Sequence, residues 1–345
     1  MNPRRRRLLI PGLLVALLVV VVVAALTDRA GAATGRPLVT IADSRITESS
    51  GLAVSAEFDD LAYTVNDSGN AAEVYAIDLT SGDVVGVTAV SAPFRDVEAL
   101  ALRDGTLWIG DLGDNRAERR DLTLYAIDEP GRETRTVDPR RYPVQLDGGP
   151  ADVEALLADP DSDELLVVTK SLAATTVMSV DEADLDPDRA AVFRPVAGDL
   201  PAFVTDGAFS PDGTRVALLS YGSLWTVDPS DWSTLGRQEL PPLAQAETVA
   251  FVDRSAVLVG SESEDSPLHR LELDPTSAEA QGPGTVATGS PESEPTEPSS
   301  EPSSAPVARD EDSRVALLGG AGMVGALALG GLVAWRLRAR SSRLR

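Results

Sequence analysis

Residues 36–274 are built from short apolar or alternating runs separated by turn residues. Runs of roughly four to eight residues with this pattern are typical of β-strands. In one unit, strands are predicted over 98–102, 106–110, 122–128 and 141–146. In a later unit, they are predicted over 207–210, 215–220, 223–228 and 235–240. The pattern therefore predicts an all-β domain made of four-stranded units.

These units recur along the chain. The segment Asp96-Val97-Glu98-Ala99-Leu100 is repeated identically at 152–156, and looser copies contain Glu48, Asp206 and Glu247. The acidic residue shifts by one or two positions among the copies. Four-stranded units with a period of about 40 to 50 residues are the signature of a β-propeller. We predict a propeller over 36–274 with five blades, since a sixth would need a further unit. Strand 38–41 would pair into the last unit and close the ring.

Two apolar segments bracket this domain. Four arginines precede the uncharged stretch 8–26, and the small residues Ala30-Gly31-Ala32 follow it. Residues 1–32 thus form an export signal cleaved after Ala32, or an anchor if they are retained.

The second apolar segment, 315–335, is long enough to span a bilayer, and the tail 336–345 carries five arginines. The positive-inside rule places this tail in the cytoplasm and the propeller outside the plasma membrane. The protein would cross the membrane once, or twice with an uncleaved signal. Gly322, Ala326, Gly330 and Ala334 repeat every four residues, a spacing that permits weak dimerisation but is also common in simple anchors.

Residues 275–312 are rich in Pro, Ser, Thr and Glu. Such a composition cannot bury a core, and it predicts a disordered stalk between propeller and membrane.

Charge narrows the possible functions. The chain has a net charge of −24, but residues 33–312 hold 53 acidic and 19 basic residues. This surface excludes nucleic acid as a partner, because phosphate binding needs basic residues. The chain has no cysteine, one histidine (His269) and one lysine (Lys170). Thiol chemistry, zinc-thiolate sites and multi-histidine metal centres are therefore excluded.

Two motifs resemble known families. The stretch Phe209-Ser210-Pro211-Asp212-Gly213 is similar to the repeat of TolB- and WD40-like propellers. The DVEAL copies and the segment 110–115 (GDLGDN) resemble secreted bacterial propellers of the phytase/esterase-like group. The second resemblance implies a Ca²⁺-dependent hydrolase.

Turns after the second strands of two units offer oxygen ligands. The candidate metal ligands are Asp67, Asp111, Asp114 and Asn115. Carboxylate and amide oxygens suit Ca²⁺. The same residue types also form Asx turns that cap their own backbone, so both interpretations remain open.

Acidic residues also mark the starts of the innermost strands, which meet near the axis of a propeller. The candidate ligand-binding residues of this central face are Glu48, Asp96, Glu98, Asp152, Glu154, Asp206 and Glu247. Crowded carboxylates are relieved by a bound cation or by raised pKa values, or they hydrogen-bond to loops and water. Lys170 is expected at a strand end facing this channel or in a salt bridge, and His269 at the surface.

The sparse chemical inventory favours a non-enzymatic module that binds a small ligand or an envelope protein. A Ca²⁺-dependent phytase/esterase-like hydrolase of phosphate or other esters is the alternative. A glycoside hydrolase with two catalytic carboxylates is a further one.

Overall fold

The computed structural model describes residues 37–67, 69–172 and 175–273. Within these ranges the regular elements are β-strands and one 3-10 turn, Glu182–Asp184. No helix in this part of the chain is long and apolar enough to cross a membrane. The predicted signal or anchor, stalk, membrane helix and tail lie outside the described residues.

The strands form antiparallel four-stranded units that follow the chain from an innermost to an outermost strand. The first sheet contains β2 (Ser49–Val54), β3 (Leu61–Asn66), β4 (Glu73–Asp78) and β5 (Val84–Val90), with β9 (Arg135–Val137) added in parallel at its outer edge. The largest sheet joins β6 (Val97–Arg103), β7 (Thr106–Asp111), β8 (Thr123–Asp128) and β10 (Arg140–Leu146) to β11 (Val153–Ala158), β12 (Glu164–Thr169), β13 (Thr175–Asp181) and β14 (Ala191–Leu200). Its two halves meet where β10 and β14 pair in parallel.

Two further four-stranded sheets complete the domain. One contains β15 (Val204–Phe209), β16 (Val216–Ser220), β17 (Ser223–Val227) and β18 (Thr234–Glu239). The other contains β19 (Ala246–Asp253), β20 (Ala256–Ser261), β21 (Ser266–Glu272) and the N-terminal strand β1 (Pro37–Ile41).

The innermost strands surround a common axis. Strand β2 contacts β6, β6 contacts β11, β11 contacts β15, β15 contacts β19, and β19 returns to β2. Strand β1 pairs antiparallel with β21, as predicted for the N-terminal strand. The all-β propeller fold predicted from the repeats is confirmed by this arrangement.

The core lies between neighbouring units and not within a single one. Between the first and last sheets, Tyr75 and Ile77 of β4 pack in one cluster with Leu258 and Leu268 of the last sheet. All four side chains are almost inaccessible to water. Because each sheet buries both faces in this way, strands such as β3 and β12 are buried nearly along their whole length.

Candidate binding site at the acidic end of the central channel

The first residues of the innermost strands surround a small acidic cavity of about 180 Å³. Its lining residues are Ser49, Ser50, Asp67, Glu98, Asn115, Glu154, Lys170, Tyr221, Gln245, Glu247 and Glu262. Five of them are carboxylates, and of the described residues that line this acidic cavity Lys170 alone is basic. The cavity therefore concentrates negative charge at one end of the channel.

β-Bulges aim the glutamates into this cavity. Each innermost strand has a bulge near its start, where the pairing with the next strand skips one residue. The skipped residues are Gly51 in β2, Glu98 in β6, Glu154 in β11, Thr205 in β15 and Glu247 in β19. A bulged residue leaves the hydrogen-bonded ladder, so its side chain can point in a new direction. All three bulged glutamates line the acidic cavity.

Lys170 and Glu154 form an ion pair in the cavity wall, with 2.9 Å between Nζ and Oε2. The ammonium also lies 5.4 Å from the centre of the Tyr221 ring. Burial lowers the pKa of Lys170, but the charges of Glu154 and Glu247 outweigh burial and raise it above its ordinary value. Lys170 therefore remains protonated, which makes it a fixed charge and not a nucleophile.

Glu98 is held tightly at the same end of the channel. Its Oε2 accepts a hydrogen bond of 3.2 Å from the Ser50 hydroxyl. Burial, reinforced by the charges of Glu154 and Asp67, raises the pKa of Glu98 well above its ordinary value. A cation placed beside Glu98 would offset the burial and the neighbouring charges and so favour its ionised form.

Glu247 completes the group of bulged glutamates. Its Oε1 accepts a hydrogen bond of 2.9 Å from Gln245 Nε2, which also donates to Glu262. Burial raises the pKa of Glu247 to about 7, although Lys170 opposes the shift. Its charge therefore changes near neutral pH.

Asp67, Asp96 and Glu98 could hold a cation together. One carboxylate oxygen from each lies within 4.8 Å of the other two. The backbone leaves a small space beside them at Gly113, where a Cβ would stand 2.7 Å from both Asp96 Oδ2 and Glu98 Oε1. Three hard oxygen donors beside a space that a side chain would fill suit Ca²⁺, so these residues fit the metal that the resemblance implies.

Four of the seven predicted central acids do not line the acidic cavity because they do not occupy a bulge: Glu48, Asp96, Asp152 and Asp206. Asp206 follows the bulged Thr205 by one residue, is fully buried, and accepts hydrogen bonds from the amides of Gly207 (2.8 Å) and Val249 (2.7 Å). Glu48 precedes the bulge of its strand, and its Oε2 accepts a hydrogen bond of 2.9 Å from Asn70. Neither residue lines the acidic cavity.

Three other predicted residues belong to a hydrogen-bonded loop network. Asp111 accepts the amides of Arg95 and Asp96 and forms an ion pair of 2.8 Å with Arg119. Asp114 accepts the Arg119 amide at 2.7 Å and donates its own amide to Asp152 Oδ1 at 2.7 Å. These contacts hold the loop that presents Asn115, the one member of segment 110–115 that lines the acidic cavity.

The expectation that His269 lies at the surface is wrong. Its side chain is buried in β21, where it stands opposite Val259 of β20. Lys170, in contrast, has both predicted features, since it faces the channel and forms a salt bridge.

Several lining residues could not be singled out from the sequence. Tyr221, Gln245 and Glu262 belong to no repeated acidic motif, and Ser50 is a hydroxyl residue within one looser copy, yet all four share the acidic cavity with the glutamates. The three glutamates were among the predicted central residues, and the bulge of each strand is the structural feature that separates them from the offset acids Glu48 and Asp206.

The fold defines the chain as a β-propeller with an acidic channel end. No protein-family model matches the chain, and no curated protein matches it. One similar solved structure is a chain in the crystal structure of a nidogen/laminin complex, with 12% sequence identity and a TM-score of 0.41 over 66% of this chain and 81% of that one. Fold alone does not determine function, so the function must be argued from the site.

Proposed function

We propose that this protein is a membrane-anchored, extracytoplasmic binding module that recognises a positively charged ligand at the acidic end of its propeller. The observation that carries the proposal is the convergence of Glu98, Glu154 and Glu247 on one cavity, where Lys170 balances a single charge. An incoming cation would relieve the repulsion among the remaining carboxylates. No nucleophile or histidine is needed for this role.

The architecture proposed for the module has five blades. The eight-stranded sheet is interpreted as two blades joined at their outer edges by the parallel pairing of β10 and β14. The contacts among β2, β6, β11, β15 and β19, together with the pairing of β1 with β21, support this count.

Thermal unfolding of the purified full chain tests the binding proposal. At low salt, L-argininamide and spermidine should each raise the melting temperature, because a ligand that binds only the folded state stabilises it. Glu247→Gln should reduce the response, whereas Glu264→Gln removes the same charge from an exposed residue and should leave it intact. No response to either organic cation would contradict the proposal.

A second candidate, a Ca²⁺-dependent phosphoester hydrolase, is favoured by one further observation. A cleft of about 670 Å³ brings four arginines, Arg95, Arg116, Arg119 and Arg120, together with the acids Asp96, Asp114, Glu118 and Asp121. Asp67, Asp96 and Glu98 would hold Ca²⁺, which when bound would polarise a phosphoryl oxygen. The arginines would then bind the phosphate. Arg119 is the least available of them, because its guanidinium is already paired with Asp111.

The same unfolding assay separates the two candidates. A rise in melting temperature with Ca²⁺ that EDTA reverses, together with turnover of a phosphoester, would favour the hydrolase. Turnover of a glycoside would instead favour the carboxylate-based glycosidase. A response to organic cations without turnover would favour the binding module.

Membrane placement can be tested independently, because the chain has no cysteine. Ser300→Cys in the proposed stalk should react with a membrane-impermeant maleimide on intact cells. Ser341→Cys in the proposed cytoplasmic tail should react only after permeabilisation. Equal labelling of both variants on intact cells would contradict the topology.

A further inference from the structure

An apolar rim stands beside the acidic cavity. It consists of Leu172, Phe203 and Tyr221, whose residues are 68%, 39% and 43% exposed. They are three of the five large hydrophobic residues that are exposed in the part of the chain that the structure describes. The rings of Phe203 and Tyr221 lie 6.4 Å apart, and the Phe203 amide donates a hydrogen bond of 3.0 Å to Ser171 O. Exposed aromatic side chains that cluster in this way are typical of interaction surfaces.

The apolar rim borders a cleft as well as the acidic cavity. The cleft has a volume of about 850 Å³ and is lined by Leu172 and Phe203, while Asn115 and Lys170 line both the cleft and the cavity. Ligand pockets usually measure roughly 300–1,000 Å³. The cleft is therefore large enough for several residues of a ligand, whereas the cavity of about 180 Å³ suits one side chain.

Charge decides which ligand would fit. Asp114, Asp147 and Asp152 line the cleft, and Lys170 is the basic residue that its described lining contributes. With the five acidic residues of the acidic cavity, acidic groups greatly outnumber the one basic residue in the combined described lining. A complementary ligand is positively charged at one point and apolar beside it.

We propose that the cleft binds an extended segment of a partner polypeptide, which places an Arg or Lys side chain in the acidic cavity and an apolar side chain on the apolar rim. The inference rests on the proposed binding function and names its ligand. Arg is especially suitable, because its planar guanidinium stacks on aromatic faces and bonds two carboxylate oxygens at once. Lys170 already lies 5.4 Å from the Tyr221 ring centre, so an incoming guanidinium would bond to the carboxylates of the cavity and leave that cation–π contact in place.

The test is selection of peptides from a random-sequence phage library on the immobilised full chain, at low salt and in EDTA so that no divalent cation competes. Recovered peptides should contain an Arg or Lys next to an apolar residue. A recovered peptide, fluorescently labelled, is then titrated by anisotropy. Its Kd should rise about tenfold with Leu172→Ser or Phe203→Ser, since exposed apolar anchors dominate such interfaces.

Matched variants distinguish this inference from the broader proposal. Val196→Ser removes a half-exposed apolar side chain elsewhere and should leave the Kd unchanged. Glu247→Gln should raise the Kd. If Glu247→Gln weakens binding but neither rim variant does, the acidic cavity binds cations without a peptide rim, and the inference is overturned while the proposed function stands. Recovery of peptides without basic residues, or no enrichment over the bare support, also overturns it.

Discussion

The ammonium nitrogen of Lys170 lies 2.9 Å from Oε2 of Glu154, and the two side chains are only 17% and 3% exposed. The sole lysine of the chain is thus the counter-ion of a carboxylate that has almost no access to water. Such a pair adds little net stability, yet breaking it leaves a buried charge without compensation.

Lys170→Met should therefore destabilise the protein strongly. We expect a loss of about 3 kcal/mol in the free energy of unfolding at alkaline pH, because Glu154 loses its partner, and a smaller loss at neutral pH, because burial raises the pKa of Glu154 and favours its uncharged form. Adding Glu154→Gln to the same chain should recover much of the loss, since the buried charge is then gone. Chemical denaturation of both variants measures the difference.

The control for this prediction is Arg140→Met, which breaks a pair with Asp128 whose side chains are 50% and 86% exposed. Exposed pairs contribute about 0–1 kcal/mol. Equal losses at Arg140 and Lys170 would contradict the role assigned to the buried pair.

Stability should fall as pH rises through neutrality. Burial raises the pKa of Glu247 from 4.5 to about 7 and also raises that of Glu98. A raised folded-state pKa means that the folded state holds the proton more tightly than the unfolded state. The contribution of Glu247 is therefore complete below pH 4.5 and is lost as the pH rises through about 7.

Denaturation midpoints between pH 5 and 8 test this dependence. Glu247→Gln should flatten the decline over that range. Glu133→Gln removes an exposed carboxylate and should preserve the slope. A stability that increases with pH in the wild-type chain would show that other groups dominate.

Gly113→Ala should displace the carboxylates of Asp96 and Glu98. The new Cβ would stand 2.7 Å from an oxygen of each carboxylate, closer than atoms of this kind approach. Overpacking of this degree costs about 1–3 kcal/mol, and the shifted carboxylates should bind cations more weakly. Gly198→Ala, where no atom lies within 4 Å of the added group, is the control. Calorimetric titration with Ca²⁺ and with L-argininamide should show weaker binding to Gly113→Ala than to the wild-type chain, and unchanged binding to Gly198→Ala.

Asp206→Ala should weaken the contact between β15 and β19 without touching the acidic cavity. It would leave the buried amides of Gly207 and Val249 without an acceptor. Each unsatisfied buried group costs roughly 1–3 kcal/mol, so we expect a loss of about 3 kcal/mol. Asp231→Ala, which removes a similar acceptor from an exposed turn, should change little. Preserved L-argininamide binding in folded Asp206→Ala would separate this structural acid from the glutamates that line the cavity.

Much of the scaffold was predictable from the sequence, because strand patterns and turn residues are local signals. Strands predicted over 106–110 and 223–228 correspond to β7 (Thr106–Asp111) and β17 (Ser223–Val227). The pairing of the N-terminal strand also followed from counting strands. The parallel pairings of β9 and β10 at the outer edges did not, since they join segments that carry no complementary pattern.

The candidate site was predictable only in outline. Acidic residues recur near every innermost strand, but their position shifts among the copies, and the sequence does not show which of Glu48, Glu98 and Asp206 faces the cavity. One residue of offset from a bulge decides whether a carboxylate enters the acidic cavity or, like Asp206, binds backbone amides between strands. Aromatic residues such as Phe203 and Tyr221 come together only through the tertiary fold.

The bulges have a consequence for how this surface can diversify. A bulged residue has no partner in the strand ladder, so replacing it disturbs pairing less than replacing its neighbours. The chain already illustrates such tolerance, since the equivalent positions hold Glu98, Glu154, Thr205 and Glu247. Two of the five positions are constrained: Gly51, because its φ of +69° and the nearby Leu100 amide exclude a side chain, and Thr205, because its buried hydroxyl donates to Ala246 O at 2.7 Å. Ligand preference can thus change at the three bulged positions that line the acidic cavity while the strand pairing around them remains the same.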